Sequence, residues 1–254
     1  MLKKLLLIQF AFIFLLNCSD QSNVDPTPPD QVRMVEKQDN SDLLDNEPGI
    51  DAEYDPISET NDIKLMWYRH PQESKLAYFK IYRTDDPDGL INYKLIGTTE
   101  NQVNEVDTTY TDTQDLALDT RYYYYVTALS DQDAESVASD TVFYTLIPKA
   151  ENLTLNNNAS VISKTEMNFS WSREISAREF ILRVERVISA TFTPLVYINV
   201  IDSYDNPVIY SLAGDSLKSI FPNGNYRWRV DCVGADLFTG SEAEGADFTV
   251  NWSN

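Results

Sequence analysis

The chain predicts an all-β protein built from two tandem β-sandwiches, and three observations predict it. Short segments that alternate apolar with polar residues recur between clusters of Gly, Pro, Asp and Asn, which is the period of half-buried strands. The pattern occurs twice. Leu116-Ala-Leu-Asp-Thr-Arg-Tyr122-Tyr-Tyr-Tyr-Val126 is echoed by Ile220-Phe-Pro-Asn-Gly-Asn-Tyr226-Arg-Trp228-Arg-Val230, with an apolar residue six places before a tyrosine in both. Upstream, Ile63-Lys-Leu65-Met-Trp67 and Met167-Asn-Phe169-Ser-Trp171 also match, and both the tryptophans and the tyrosines lie 104 residues apart. A period this long marks a duplicated domain, since solenoid units recur at roughly 20–50 residues.

Length and charge narrow the rest. With 254 residues and 43% hydrophobic composition the chain can bury two ordinary cores. Its formal charge of −20 repels phosphate backbones and so predicts no nucleic-acid partner. The two cysteines, Cys18 and Cys232, lie in unlike contexts and predict no mutual disulfide.

Residues 1–17 read as a signal peptide. Lys3 and Lys4 precede an uncharged run from Leu5 to Leu16, too short to span a bilayer comfortably and of the length of a signal-peptide apolar region. The run closes in Leu15-Leu16-Asn17-Cys18, which resembles the lipobox of bacterial lipoproteins, with Asn17 departing from the usual small residue. The resemblance implies lipid on the Cys18 thiol, cleavage before it, and attachment to the bacterial cell envelope, with the outer membrane as the expected address. Residues 18–47 then predict a disordered acidic linker. From Ser19 to Asp55 there are eleven acidic residues, two basic residues and four prolines, too little apolar surface to offset ordering. Asp20, Asp25 and Asp30 lack the spacing of a calcium loop.

Residues 48–147 form the first predicted unit. After the Trp67 strand come Tyr78 to Arg83, the turn Asp85-Asp-Pro-Asp-Gly89, Tyr93 to Ile96, Thr109 to Thr111, the Tyr122 strand and Thr141 to Tyr144. This succession resembles a fibronectin type III domain, an immunoglobulin-like sandwich. The resemblance implies a tyrosine corner, in which the Tyr122 hydroxyl bonds to backbone near Leu116. The family's Arg-Gly-Asp is absent. Strand parity with Phe79, Ile81, Tyr122, Tyr124, Val126 and Phe143 inward places Tyr78, Tyr82, Tyr123, Tyr125 and Tyr144 outward around Lys80. These five tyrosines are the candidate ligand-binding face, equally readable as cross-strand pairs that stabilise an exposed sheet. His70, the only histidine, has no cysteine or serine at catalytic or zinc spacing and reads as a loop residue. The acidic turn reads as a tight turn rather than a calcium site.

Residues 148–254 form the second, divergent unit. Its Ile220-x-Pro222-x-Gly224-x-Tyr226 keeps the corner motif, and Cys232 falls where the first copy has Ala128, a small buried position. Its outward positions are Arg183, Glu185, Arg227 and Arg229 rather than tyrosines, so the aromatic face belongs to the first unit alone. The Asn-x-Ser/Thr sequons at Asn152, Asn158, Asn168 and Asn251 carry little weight in a bacterial lipoprotein.

No nucleophile elbow, phosphate loop or His/Cys cluster occurs, so the expectation is a non-enzymatic protein with no cofactor and no metal. Three functions remain open: display of the sandwiches for protein interaction or surface assembly, which leads; binding of a surface glycan through the tyrosine face; and, from another class, a hydrolase remnant or subunit.

Overall fold

The computed structural model describes residues 27–35, 54–55, 60–100, 108–156, 159–173, 176–236 and 238–252. The signal peptide, Cys18 and most of the acidic linker lie outside the described residues. The fold is two β-sandwiches in series, as the alternating strands require.

In the first unit, β1 (Tyr54–Asp55) pairs with β2 (Thr60–Asn61), and β3 (Ile63–Met66) pairs antiparallel with β6 (Thr109–Asp112). The opposing sheet runs in the order β5 (Lys94–Glu100), β4 (Leu76–Thr84), β7 (Arg121–Ser130), β8 (Val142–Leu146). Between the sheets lie Leu65, Trp67, Phe79, Ile81, Tyr124 and Val126, each at most 2% exposed. The Trp67 and Phe79 rings stand 5.3 Å apart, so the tryptophan closes the core from one sheet onto the other.

The second unit repeats the plan. β9 (Glu151–Leu155), β11 (Glu166–Ser172) and β14 (Val208–Ala213) form one sheet. The other takes β10 (Val161–Ile162), β17 (Ala246–Val250), β15 (Gly224–Gly234), β12 (Ala177–Val187) and β13 (Leu195–Ile201). A single helical turn, α1 (Leu217–Ile220), buries Leu217 before β15. Trp171 meets Phe180 at 5.5 Å, the counterpart of Trp67 on Phe79. Phe79 pairs with Ala128 and Phe180 with Cys232, so the buried Cys232 thiol fills the place of the alanine methyl.

Both tyrosine corners form, with opposite hydrogen-bond sense. The Ala117 amide donates to the Tyr122 hydroxyl at 2.9 Å, whereas the Tyr226 hydroxyl donates to the Pro222 carbonyl at 2.5 Å. Phe221, the counterpart of Ala117 at the 104-residue period, already donates its amide to the Leu217 carbonyl, and the second corner uses a carbonyl instead.

Two features depart from the sequence expectation. The linker expected over 18–47 is not wholly a tether, because residues 27–35 lie on the first sandwich. Val32 is 1% and Met34 8% exposed; Met34 bridges Trp67, the Val35 amide donates to Met66, and the Tyr68 amide donates to Arg33. Two apolar residues spaced by two share one face of an extended segment. Their burial, at about 1.5–3 kcal/mol each, offsets the ordering of a short stretch. The junction between the units is also more than the short Ile147-Pro148-Lys149-Ala150 link. β16 (Thr239–Glu242) pairs antiparallel with β15 and parallel with β8, which makes one continuous sheet across both units. Phe238 reaches into the first unit's core against Phe143 and Tyr144.

Candidate functional site

The tyrosine face is organised by the register of β4 on β7. Tyr82 lies opposite Tyr125, Lys80 opposite Thr127, and Leu95 of β5 flanks Tyr82 on its other side. Direct opposition brings the Tyr82 and Tyr125 rings to 4.6 Å with planes 21° apart, a stacked pair. Tyr93, arriving from the turn that links β4 to β5, packs on Tyr125 at 4.6 Å. Tyr82, Tyr125 and Tyr93 are therefore one half-buried aromatic group, with Leu95 exposed beside it.

One carboxylate fixes the edge of this group. Glu135 accepts from Lys80 Nζ at 2.6 Å, Thr127 Oγ1 at 2.7 Å and Tyr82 Oη at 3.2 Å. Burial works to raise the Glu135 carboxyl, and the bonds from Lys80 and Thr127 outweigh it and hold it below the usual range. The Lys80 ammonium is correspondingly raised by its bond to Glu135. Tyr82 is raised by burial and by the Glu135 charge, Tyr125 by burial and its two tyrosine neighbours, and Tyr93 by burial. All three hydroxyls stay protonated at neutral pH, and those of Tyr82 and Tyr93 already donate, to Glu135 and to the Gly89 carbonyl.

The five candidate tyrosines are not brought together as a set. Tyr82 and Tyr125 meet. Tyr78 is half-buried and lies opposite Leu129, further along β4. Tyr123 holds the adjoining turn, donating to the Pro87 carbonyl at 3.0 Å, with its ring over Gly89. Gly89 has φ +63°, and a Cβ there would lie 2.5 Å from the Tyr123 ring, so the acidic turn needs a glycine on both counts. The Gly89 amide donates to the Asp86 carbonyl and the Asp88 amide to the Asp86 carboxylate.

Tyr144 is a correction. It is 3% exposed and packs inward on Tyr124, while Phe143 takes the outward position. Residues directly opposite on antiparallel strands share a face, and Tyr144 lies opposite inward Tyr122. The outward Phe143 ring is covered by Phe238 of the second unit and by the Arg121 guanidinium, 4.8 Å above it. The 104-residue period held the signal: it carries Tyr144 onto Phe248, which lies opposite Tyr226 in the same way.

Tyr93, Thr127 and Glu135 complete the aromatic group and were not among the sequence candidates. Glu135 is 53 residues from Tyr82, with no local spacing to reveal the pairing. In the second unit the outward face is ionic, with Arg227 paired to Asp247 and Arg229 to Asp231 and Glu242. His70 is a buried loop residue whose Nδ1 accepts from the Gln72 amide and whose Nε2 meets the Asp30 carbonyl at 2.9 Å, pinning residues 27–35 to the domain. A recess of about 560 Å³ lies between Pro28, Pro29, Lys75 and Gln132, and none of the five tyrosines lines it. Among the described residues, no group of three or more His, Cys, Asp or Glu side chains gathers as metal ligands would.

No protein-family model and no curated protein sequence matches the chain. Among solved structures it is similar to the crystal structure of the chicken CNTN1 FN1–FN3 domains, at 11% identity over 88% of this chain and 68% of that one. The TM-score is 0.38, too low to carry an argument about function. The strand order of the two sheets itself identifies the fold as a tandem pair of fibronectin type III-like, immunoglobulin-like β-sandwiches.

Proposed function

We propose that the chain is a non-catalytic lipoprotein of the bacterial cell envelope, anchored through lipid on Cys18, that presents two coupled sandwiches to a protein partner. The observation that carries the reading is the Tyr82–Tyr125–Tyr93 group on the open face of the first unit, pre-packed and tied to Glu135. Rigid tyrosines that lose little rotamer freedom on binding are the side chains that anchor protein contacts. The envelope address rests on Lys3, Lys4, the Leu5 to Leu16 run and Leu15-Leu16-Asn17-Cys18.

The test isolates the protein from membranes as wild type, Tyr82→Ala/Tyr125→Ala and Cys18→Ala, and measures the N-terminal peptide mass of each. A lipid mass on the wild-type Cys18 peptide, and a stoichiometric partner protein that is lost from the double tyrosine variant, are expected. A glycan that binds wild type and not the tyrosine variant would replace the protein-partner reading with the carbohydrate one. An unmodified Cys18 would remove the lipid anchor.

A further inference from the structure

We infer that the edge strand β13 of the second unit is a self-association site, at which a second copy of this chain adds an antiparallel strand. Among the described strands β13 pairs only with β12, so one row of its backbone N–H and C=O groups faces outward. An edge of this kind accepts another strand unless something on it resists pairing. The first unit supplies that resistance. Its corresponding edge, β5, reads Lys94-Leu-Ile-Gly-Thr-Thr-Glu100, with a charge at each end and a glycine in the middle. β13 reads Leu195-Val-Tyr-Ile-Asn-Val-Ile201, seven residues of high β propensity with no charge, proline or glycine. The opposite rim of the same sheet, β10, is only two residues long.

The flank around β13 is apolar. The Tyr197 and Tyr210 hydroxyls meet at 2.6 Å and join β13 to β14, the edge of the facing sheet. Val200 is 38% exposed on this strand, and the adjoining loop at the tip of the β12–β13 hairpin exposes Ile188 and Phe192.

Two features select a second copy as the occupant. An antiparallel pairing centred on Ile198 sets Leu195 opposite Ile201, Val196 opposite Val200 and Tyr197 opposite Asn199, so two of the three pairs are apolar on apolar and no like charges oppose. In a chain of net charge −20, this uncharged edge is where two copies can approach without direct repulsion. Antiparallel pairing places the tip of one copy beside the base of the other, which is the two-fold, self-complementary contact of an isologous dimer.

The experiment is sedimentation velocity of the purified full chain from about 1 to 100 µM, the range in which a small strand-pairing interface is populated. Wild type is expected to shift reversibly from monomer to dimer. Val200→Lys places a charge on the edge and is expected to weaken the dimer by about tenfold or more, whereas Thr98→Lys on the first unit's edge leaves it unchanged. Thermal unfolding of each variant confirms that it is folded.

Register is read separately by cysteine cross-linking in a Cys18→Ser background. Opposed residues of an antiparallel pair have Cα atoms about 4.5–5.5 Å apart, within disulfide reach. Ile198→Cys should therefore cross-link to itself, and Leu195→Cys should not. A chain that stays monomeric at 100 µM, a dimer indifferent to Val200→Lys, or equal cross-linking at both positions would overturn the inference. A protein other than this chain captured on the β13 edge of a monomer would also overturn it.

Discussion

Removing the Asp112 carboxylate should be among the most damaging single changes in the first unit. Asp112 ends β6 fully buried and accepts three hydrogen bonds: from Arg83 Nη1 at 2.7 Å, Tyr124 Oη at 3.0 Å and the Gln114 amide at 3.1 Å. Asp112→Ala leaves the Arg83 guanidinium, whose side chain is only 17% exposed, without its counter-charge. It also leaves the buried Tyr124 hydroxyl without an acceptor. Breaking one side of a buried ion pair costs about 3–5 kcal/mol. An orphaned buried hydroxyl falls in the range of about 1–3 kcal/mol and overlaps that figure rather than adding to it. Against a domain stability of about 5–15 kcal/mol the loss is a large fraction. With a urea m-value of about 1–3 kcal/mol/M, the midpoint should fall by about 2 M. Asp112→Asn keeps an acceptor for Tyr124 and should cost less, about 1–3 kcal/mol. The assay is hydrogen exchange by mass spectrometry across urea, read on β7 peptides so that the first unit is seen apart from the second. A midpoint shift under about 0.5 M for Asp112→Ala, or equal losses for the alanine and asparagine variants, would refute the reasoning.

Four further outcomes are expected. Burial, reinforced by the Asp112 charge, raises the Tyr124 hydroxyl well above its ordinary value, and burial also raises Tyr82, Tyr93, Tyr110 and Tyr125. The unfolded chain then ionises first, so first-unit stability is complete below about pH 10 and falls as pH rises past it, by up to 1.4 kcal/mol per pH unit for each such group. Tyr124→Phe should flatten this decline in denaturation curves taken between about pH 9 and 12. Phe238→Ala removes the ring that packs on Phe143 and Tyr144, and calorimetry should resolve the units into two transitions after a loss of about 1–3 kcal/mol of coupling. Gly89→Ala forces a Cβ into the left-handed region and against Tyr123, and should cost about 1–2 kcal/mol with faster amide exchange in the turn around Asp86. Tyr122→Phe and Tyr226→Phe each delete a corner hydrogen bond and should cost about 1 kcal/mol in urea denaturation.

Local alternation was enough to read the stacked pair at the centre of the candidate site. Tyr82 and Tyr125 each sit one place from an inward residue, Ile81 and Val126, and the two strands are neighbours. Tyr93 and Glu135 join the group through a turn that folds back and through a segment 53 residues away, so no periodicity announces them. Strand alternation alone puts the more apolar Phe143 inward and Tyr144 outward, the reverse of the structure. Phe143 is outward and shielded by Arg121 of its own unit and by Phe238, a contact that exists only once the second unit is docked. The segment 27–35 was hidden for a different reason. Its composition is that of a tether, and it is held to the sandwich by buried Val32 and Met34 together with backbone bonds that no local pattern announces.

The sequence by itself determined the all-β class and the duplication, because strand alternation and the 104-residue period are local or repeated properties, and its resemblance to fibronectin type III domains implied the tyrosine corners. Tertiary structure alone decided the continuous sheet through β16, the Phe238 contact, the Glu135 cluster and the uncharged outer edge of β13. Each of these depends on which strand lies beside which, or on which edge is left without a neighbour. That pairing is a balance of long-range burial and chain entropy across the whole domain, to which no short window of residues is sensitive.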